Sequence, residues 1–514
     1  MEQGPTDDAD LAVPRREFRL VLVGLLLAMA LASLDQNIVA PALPHIVGDL
    51  GGGSHLDWVV TAFMLASTAT TPLYGKLSDM YGRKPLFFAA ILLFLLGSVL
   101  CGLARDMAEL IAYRSLQGLG AGGLMALAQT TIGDLIAPRQ RGRYQGLFTG
   151  VFAVGSVAGP LLGGFLTDAL SWRWIFYVNL PVGGAALFFL AVGLRRASHV
   201  SPHRIDYLGA ALVTAATAGV LLLLSLGGRH YPWASPEVLG LGAGAAVLTA
   251  LLVPCERRAA EPVLPPRLFR LATFVVSSAG IGLTAMALFA PLVYLPLYFQ
   301  LVEGSGPTAA GLFMSPLMGG VIIASVGGGW LVTALGRYKV FAVVGLAAAV
   351  AAFLGMAWEA AEVAGVFWLA ATLVVLGLGL LMPTLTVAIQ NAVDRGDMGV
   401  ATSASSFFRS LGGAVGVAVA GAIMAAVLGR ASGDPSLADL GVQQVEALAP
   451  AARQAAVAAY RQAIAATFVA GAAIAAVAFV VVLFLPELPL RSFGPEEKLT
   501  PAGDGAAVPD HVSA

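Results

Sequence analysis

The chain has 514 residues, of which 58% are hydrophobic and 11% charged, with a net charge of −1 and a mean hydropathy of +0.84. Soluble chains carry about 25% charged residues, so a soluble globule is excluded. The near-neutral balance, with no basic run outside loop lengths, gives no footing for a nucleic-acid partner.

Apolar stretches long enough to cross a bilayer, about 20 residues each, recur from residue 19 onward. Fourteen spanning helices are predicted, at residues 19–44, 56–76, 86–104, 107–133, 144–168, 174–194 and 206–226, then 237–255, 272–300, 308–333, 338–358, 363–390, 399–428 and 463–485. No porin-like alternation occurs. A signal peptide is the alternative for the first stretch, with Arg15, Arg16 and Arg19 ahead of it. The apolar run continues into patterned sequence, so it is read as a span.

Lysine and arginine crowd alternate loops, among them Lys76, Arg83, Lys84, Arg139, Arg141 and Arg143, while the opposite loops hold Arg105, Arg173, Arg229, Arg430, Arg453 and Arg461. By the positive-inside rule both termini are expected in the cytoplasm. Residues 1–18 and 491–514 read as polar tails. Residues 430–462 read as a long outer loop.

The sequence repeats. "GKLSDMYGRKP", Gly75 to Pro85, aligns with "GWLVTALGRYK", Gly329 to Lys339. Gly75, Leu77, Gly82 and Arg83 meet Gly329, Leu331, Gly336 and Arg337, and Asp79 meets Thr333. The simplest architecture is an all-α membrane protein with two six-helix halves, 19–200 and 261–490. Two further helices, within 201–260, are inserted between them. Such repeats place a substrate cavity at their interface, and rocking alternates access to it.

Ionisable groups inside the spans are costly and mark ion pathways or partners. Asp35 lies roughly 14 Å below the outer end and Arg114 roughly 10 Å below the same face, at 1.5 Å per residue. Pairing is therefore possible. Desolvation raises the pKa of a carboxyl and a neighbouring cation lowers it, so Asp35 is a candidate proton carrier. The alternative is a structural ion pair, or a hydrogen bond to backbone near Pro41 and Pro44. Asp79, Arg83 and Lys84, with Gly75 and Gly82 permitting a tight turn, are a candidate gate. A carboxylate there suits a helix N-terminus in the other half, and topology-setting charge is the alternative. Gly155, Gly159, Gly163 and Gly164 are read as one face allowing close helix approach, with Pro160 bending the axis. Arg409, the other buried charge, is read as snorkelling inward or pairing with an inner-loop acid.

Asn37, Gln129, Tyr294, Tyr298, Gln300, Gln390 and Asn391, with Met382, are the candidate ligand-binding residues. A mostly apolar pocket with few polar groups suits hydrophobic ligands. No acid lies deep in the second half, which points to neutral or monocationic ligands. There is no G-x-x-x-x-G-K-[ST] loop, so ATP is not the driver. There is no C-x-x-C or H-E-x-x-H, and no nucleophile–base pair, so an enzyme is not expected.

Four motifs resemble the major facilitator superfamily, in its fourteen-helix drug:proton antiporter branch. "GKLSDMYGRKP" is similar to the cytoplasmic loop motif, and "YRSLQGLGAGG", with Arg114, Gln117 and Gly118, to the fourth-helix motif. "GSVAGPLLGG", 155–164, is similar to the antiporter motif. "LDQNIVAPALP", with Asp35 and Pro44, is similar to the first-helix motif, where Asn37 stands for the usual threonine. "WRWIFYVNLPVG", 172–183, also looks like the family. The resemblance implies a multidrug efflux transporter of the inner membrane, driven by protons without another cofactor and expected as a monomer. Export of a native lipid, antibiotic or metabolite is a second reading, and a membrane protein that binds without transporting is a third.

Overall fold

The structure is a computed structural model. It describes residues 14–51, 56–194, 206–228, 231–305, 307–362, 367–432, 445 and 448–490. The predicted tails, for the most part, and residues 433–444 of the predicted outer loop lie outside the described residues.

The helices in chain order are α1 (Arg15–Ile38), the short α2 (Leu43–Leu50), α3 (Leu56–Tyr81), α4 (Arg83–Leu103), α5 (Met107–Leu135), α6 (Pro138–Ala169), α7 (Trp174–Tyr177) and α8 (Asn179–Gly193). Then come α9 (Tyr207–Leu226), α10 (Pro236–Arg258), α11 (Ala272–Leu301), α12 (Pro307–Leu335), α13 (Lys339–Glu362), α14 (Phe367–Ala392), α15 (Met398–Ser432) and α16 (Pro450–Leu483). Among the described residues no strand occurs beyond one isolated bridge, Gly227 to Tyr231. Nine helical stretches are long and apolar enough to cross a bilayer on the described residues. Each predicted segment overlaps a helix within the described residues, residues 363–366 of the twelfth lying outside them.

The departures from expectation have local causes. The first helix stops at Ile38 and gives way to a 3-10 turn at Ala40–Ala42, because Pro41 and Pro44 lack donors. The sixth span divides into α7 and α8. The last begins at Pro450 instead of 463. Proline suits the first helical position, and the alanines that follow favour helix despite Arg453, Gln454 and Arg461.

Buried side chains form separate cores. Phe18 to Leu194 supply two of them, one around Phe87 and Phe94 and one around Trp172 and Phe176. A third, around Phe274, Phe299, Phe353 and Phe468, comes almost wholly from residues 268–485. The inserted α9 packs on α10 and also touches α3 and α15. Where the cores meet, backbones approach closely. A Cβ at Gly75 would overlap Ser403 Oγ and Gly399 O, and a Cβ at Gly329 would overlap Gly142 O. The repeat is therefore visible in packing, with α3 against α15 and α12 against α6. Gly82 and Gly336, aligned in sequence, both have left-handed backbones, with φ of 87° and 67°.

Candidate functional site

A cavity of about 1330 Å³ lies between the two groups of helices. It runs from Gln129, Ser406 and Arg409 to Leu43, Trp233, Leu428 and Tyr460, at the end where α1 gives way to α2. Met64, Phe148, Phe152, Leu221, Leu224, Tyr294 and Met382 supply apolar wall. Among the described lining residues Arg409 carries the single charge.

At the opposite end the halves are tied together. Asp79 Oδ1 accepts from Gly399 N at 3.0 Å and Oδ2 from Val400 N at 2.9 Å. These are the first free amides of α15, where the helix dipole favours an anion. Arg83 Nη1 holds Asp79 Oδ1 at 2.6 Å, and its Nε holds Asp134 at 2.7 Å. Asp79 lies past the apolar stretch 56–76. Burial pushes its carboxyl up to about 6, with Arg83 opposing and Asp134 adding to the rise, so it is mostly ionised at neutral pH. Lys84 Nζ donates to Ala191 O at 2.7 Å and Leu194 O at 2.6 Å, ending α8. Lys76 pairs with Glu261. Arg141, nearly buried, donates to Ile136 O at 2.9 Å, to Gly133 O, and across to Gln390 O at 2.8 Å.

Asp35 is fully buried. Its Oδ2 accepts from Arg114 Nη1 at 2.6 Å, and its Oδ1 from Gln117 Nε2 at 2.7 Å and Asn179 Nδ2 at 2.9 Å. Ser98 Oγ accepts from the same two amides at 2.8 and 3.2 Å. Arg114 also donates to Val59 O and Gln117 Oε1 and stacks 4.1 Å from the centre of Phe63. The carboxylate does not line the cavity; Phe63 and Gln36 do. α1, α4, α5 and α8 thus converge on one satisfied carboxylate, four chain segments wide.

The other predicted residues divide. Gln129 and Tyr294 line the cavity, as does Met382. Asn37 does not: its Nδ2 donates to Ser33 O at 2.8 Å and its Cβ faces Gly159 of α6. The neighbour Gln36, one residue and about 100° round the helix, takes the place assigned to Asn37. Tyr298 is buried in the second-half core against Phe299, and Gln300 is not a lining residue. Gln390 lies at the closed end, with Nε2 donating to Gln129 O at 3.1 Å, and Asn391 donates to Pro489 O at 3.1 Å. Both sit too near the end of α14 to reach the open part of the cavity. Gly155, Gly159 and Gly163 press on α1 at Ser33, Asn37 and Ile38, whereas Gly164 faces open space. Pro160 is exposed, and α6 runs unbroken past it.

Sequence reading missed Gln36, Arg141, Asp134 and Asn179. Asn179 had a signal, since it stands in "WRWIFYVNLPVG". Arg141 looked like any other loop cation.

The sequence profile described as Major Facilitator Superfamily matches residues 25–417. The chain belongs to the major facilitator superfamily. Among relatives, the multidrug transporter protein MdtP of Bacillus subtilis is 38% identical over 80% of this chain and 76% of its own length. Multidrug resistance protein 3 of the same organism is 36% identical over 79% of each. The human organic anion transporter MFSD10 superposes with a TM-score of 0.61 at 16% identity, covering 91% of this chain and all of that one. The proton:xylose symporter XylE gives 0.60 at 14%, covering 93% and 97%. At such identities the two structures bear on fold alone, and they share this helical transporter fold. This major facilitator protein is therefore a multi-pass membrane transporter of the efflux type.

Proposed function

We propose that the chain is a proton-coupled antiporter that exports hydrophobic, drug-like molecules by alternating access. Fourteen helices cross the inner membrane as two halves with an inserted pair, and both termini lie in the cytoplasm. The observation that carries the reading is the pairing of a mainly apolar cavity with a buried, ionised network directly behind its wall. The cavity is closed at the Asp79 end, so this conformation faces outward. Asp79, Arg83 and the α15 N-terminus form its cytoplasmic gate. Names of relatives such as MdtP support drug efflux.

Asp35 is the proton carrier in this reading. In the outward-facing form it is held by Arg114, Gln117 and Asn179. Proton exchange requires Phe63, stacked 4.1 Å from the Arg114 guanidinium, to move aside and open a path from the cavity to the pair. Rocking and proton uptake are then one event. The membrane potential contributes about 2.3 kcal/mol per charge per 100 mV, enough for modest concentration.

Energised inverted vesicles test this. Adding substrate releases protons from vesicles holding the natural protein. The Asp35→Asn form inserts normally but releases none and does not concentrate substrate. Full-rate uphill export by Asp35→Asn sinks the coupling scheme. A ligand binder that does not transport gives no proton signal with either form.

A further inference from the structure

At the inner limit of the cavity, Arg409 and its neighbours form a small corner of about 20 Å³, room for roughly one water-sized group. Arg409 sits about three turns into α15, half-buried, with Nη2 on Met125 Sδ at 3.4 Å. No carboxylate among the described residues lies within ion-pair distance of it. Beside it Gln145, which is 2% exposed, points a buried Nε2 with no hydrogen-bond partner. Ser406 is already committed, donating to Gln129 Oε1 at 3.1 Å, and Thr149 donates to Gln145 O at 3.1 Å. An unpaired buried cation and an orphaned buried donor are each costly. Both costs vanish when an anionic oxygen enters the corner. A guanidinium accepts a carboxylate or sulfonate with two parallel bonds, and the Gln145 amide supplies a third donor. A cationic ligand finds no carboxylate on the described cavity wall and is repelled by Arg409.

We infer that the Arg409–Gln145 corner binds the anionic head group of the ligand, making amphiphilic anions the favoured substrate class. This rests on the reading of the cavity as the transport site and replaces the expectation of neutral or monocationic ligands. That expectation followed from the missing second acid. It did not count the cation that the fold turns toward the cavity.

Purified full-length protein in nanodiscs, with no gradient, is titrated with three fluorescent probes sharing one apolar body: pyrenebutyrate, pyrenebutanol and pyrenebutylamine. Charged hydrogen bonds of this kind are worth about tenfold or more in affinity. Pyrenebutyrate is expected to bind at least about tenfold tighter than the amine. Arg409→Gln removes the preference while the alcohol still binds, Arg409→Lys keeps part of it, and Gln145→Leu reduces it several-fold. Equal binding of the amine by the natural protein, or a carboxylate preference that survives Arg409→Gln, overturns the inference. Should Arg409→Gln fail to fold, an undiminished preference in Gln145→Leu overturns it as well. Runs in a neutral osmolyte and in chloride separate the ligand's own head group from a free anion: a preference present without added anion supports the former, and a preference that appears only with added chloride overturns it. Binding needs no pumping, so a failed proton assay leaves this result standing, and the reverse also holds.

Discussion

The loop around Asp79 and its repeat around Thr333 have the same backbone and opposite electrostatics. Both turn on a glycine in the left-handed region, Gly82 and Gly336. Both follow a helix whose glycine, Gly75 or Gly329, touches the other half. In the first, Asp79 crosses to the α15 N-terminus and Arg83 braces it. In the second, Thr333 Oγ1 only donates back to Gly329 O at 2.9 Å, and Arg337 is exposed. The crossing there is made by Arg141 of α6, which reaches the last carbonyls of α5 and α14. One side joins an anion to a helix start, the other a cation to helix ends; both obey the dipole. The repeat keeps the geometry that close packing needs, and the charge is free to change hands.

The comparison breaks most visibly at Arg141. Arg141→Ala takes this donor from three carbonyls, Gly133 O and Ile136 O at the end of α5 and Gln390 O of α14, at about 1–3 kcal/mol each. A large fall in thermal stability and loss of the outward-facing form are expected, read by melting in detergent and by labelling of a cysteine placed in the closed end. Asp79→Ala comes next. It frees two α15 amides and costs the closed end about 2–4 kcal/mol, so inward accessibility rises and turnover falls while the amount of inserted protein stays near normal. Loss of protein instead would assign Asp79 to topology. Gly329→Ala forces a Cβ onto Gly142 backbone, and Gly75→Ala forces one onto Ser403 and Gly399. Overpacking of this kind costs about 1–3 kcal/mol, and transport should slow in both with protein retained. Thr333→Asp has the smallest effect, under about 1 kcal/mol. Its transport rate should match the natural protein's, since Arg141 already serves that interface.

Much of this was legible in the sequence. Depth along a helix follows from counting residues, so Asp35 and Arg114 are matched before any coordinates exist. The turn at Gly336 follows from its alignment with Gly82. Rotation about a helix axis is a different matter. α1 is apolar on nearly every side, so nothing in the local pattern distinguishes the face of Gln36 from that of Asn37. Arg409 shows the same limit: its distance from the helix start is readable, but whether it turns to cavity or interface depends on how α15 packs against α3 and α11. Gln390 and Asn391 were placed in the cavity because they are polar and deep, yet the closed end also needs polar groups to bridge carbonyls between halves.

The inserted pair has a consequence for how a guest arrives. Leu221, Leu224 and Ser225 of α9 form part of the cavity wall, and α9 leans on both α3 and α15. The flank between those two helices is thereby boarded over. A greasy molecule dissolved in the bilayer meets α9 on that side, which makes the chamber lopsided although the fold around it is built from a duplicated plan.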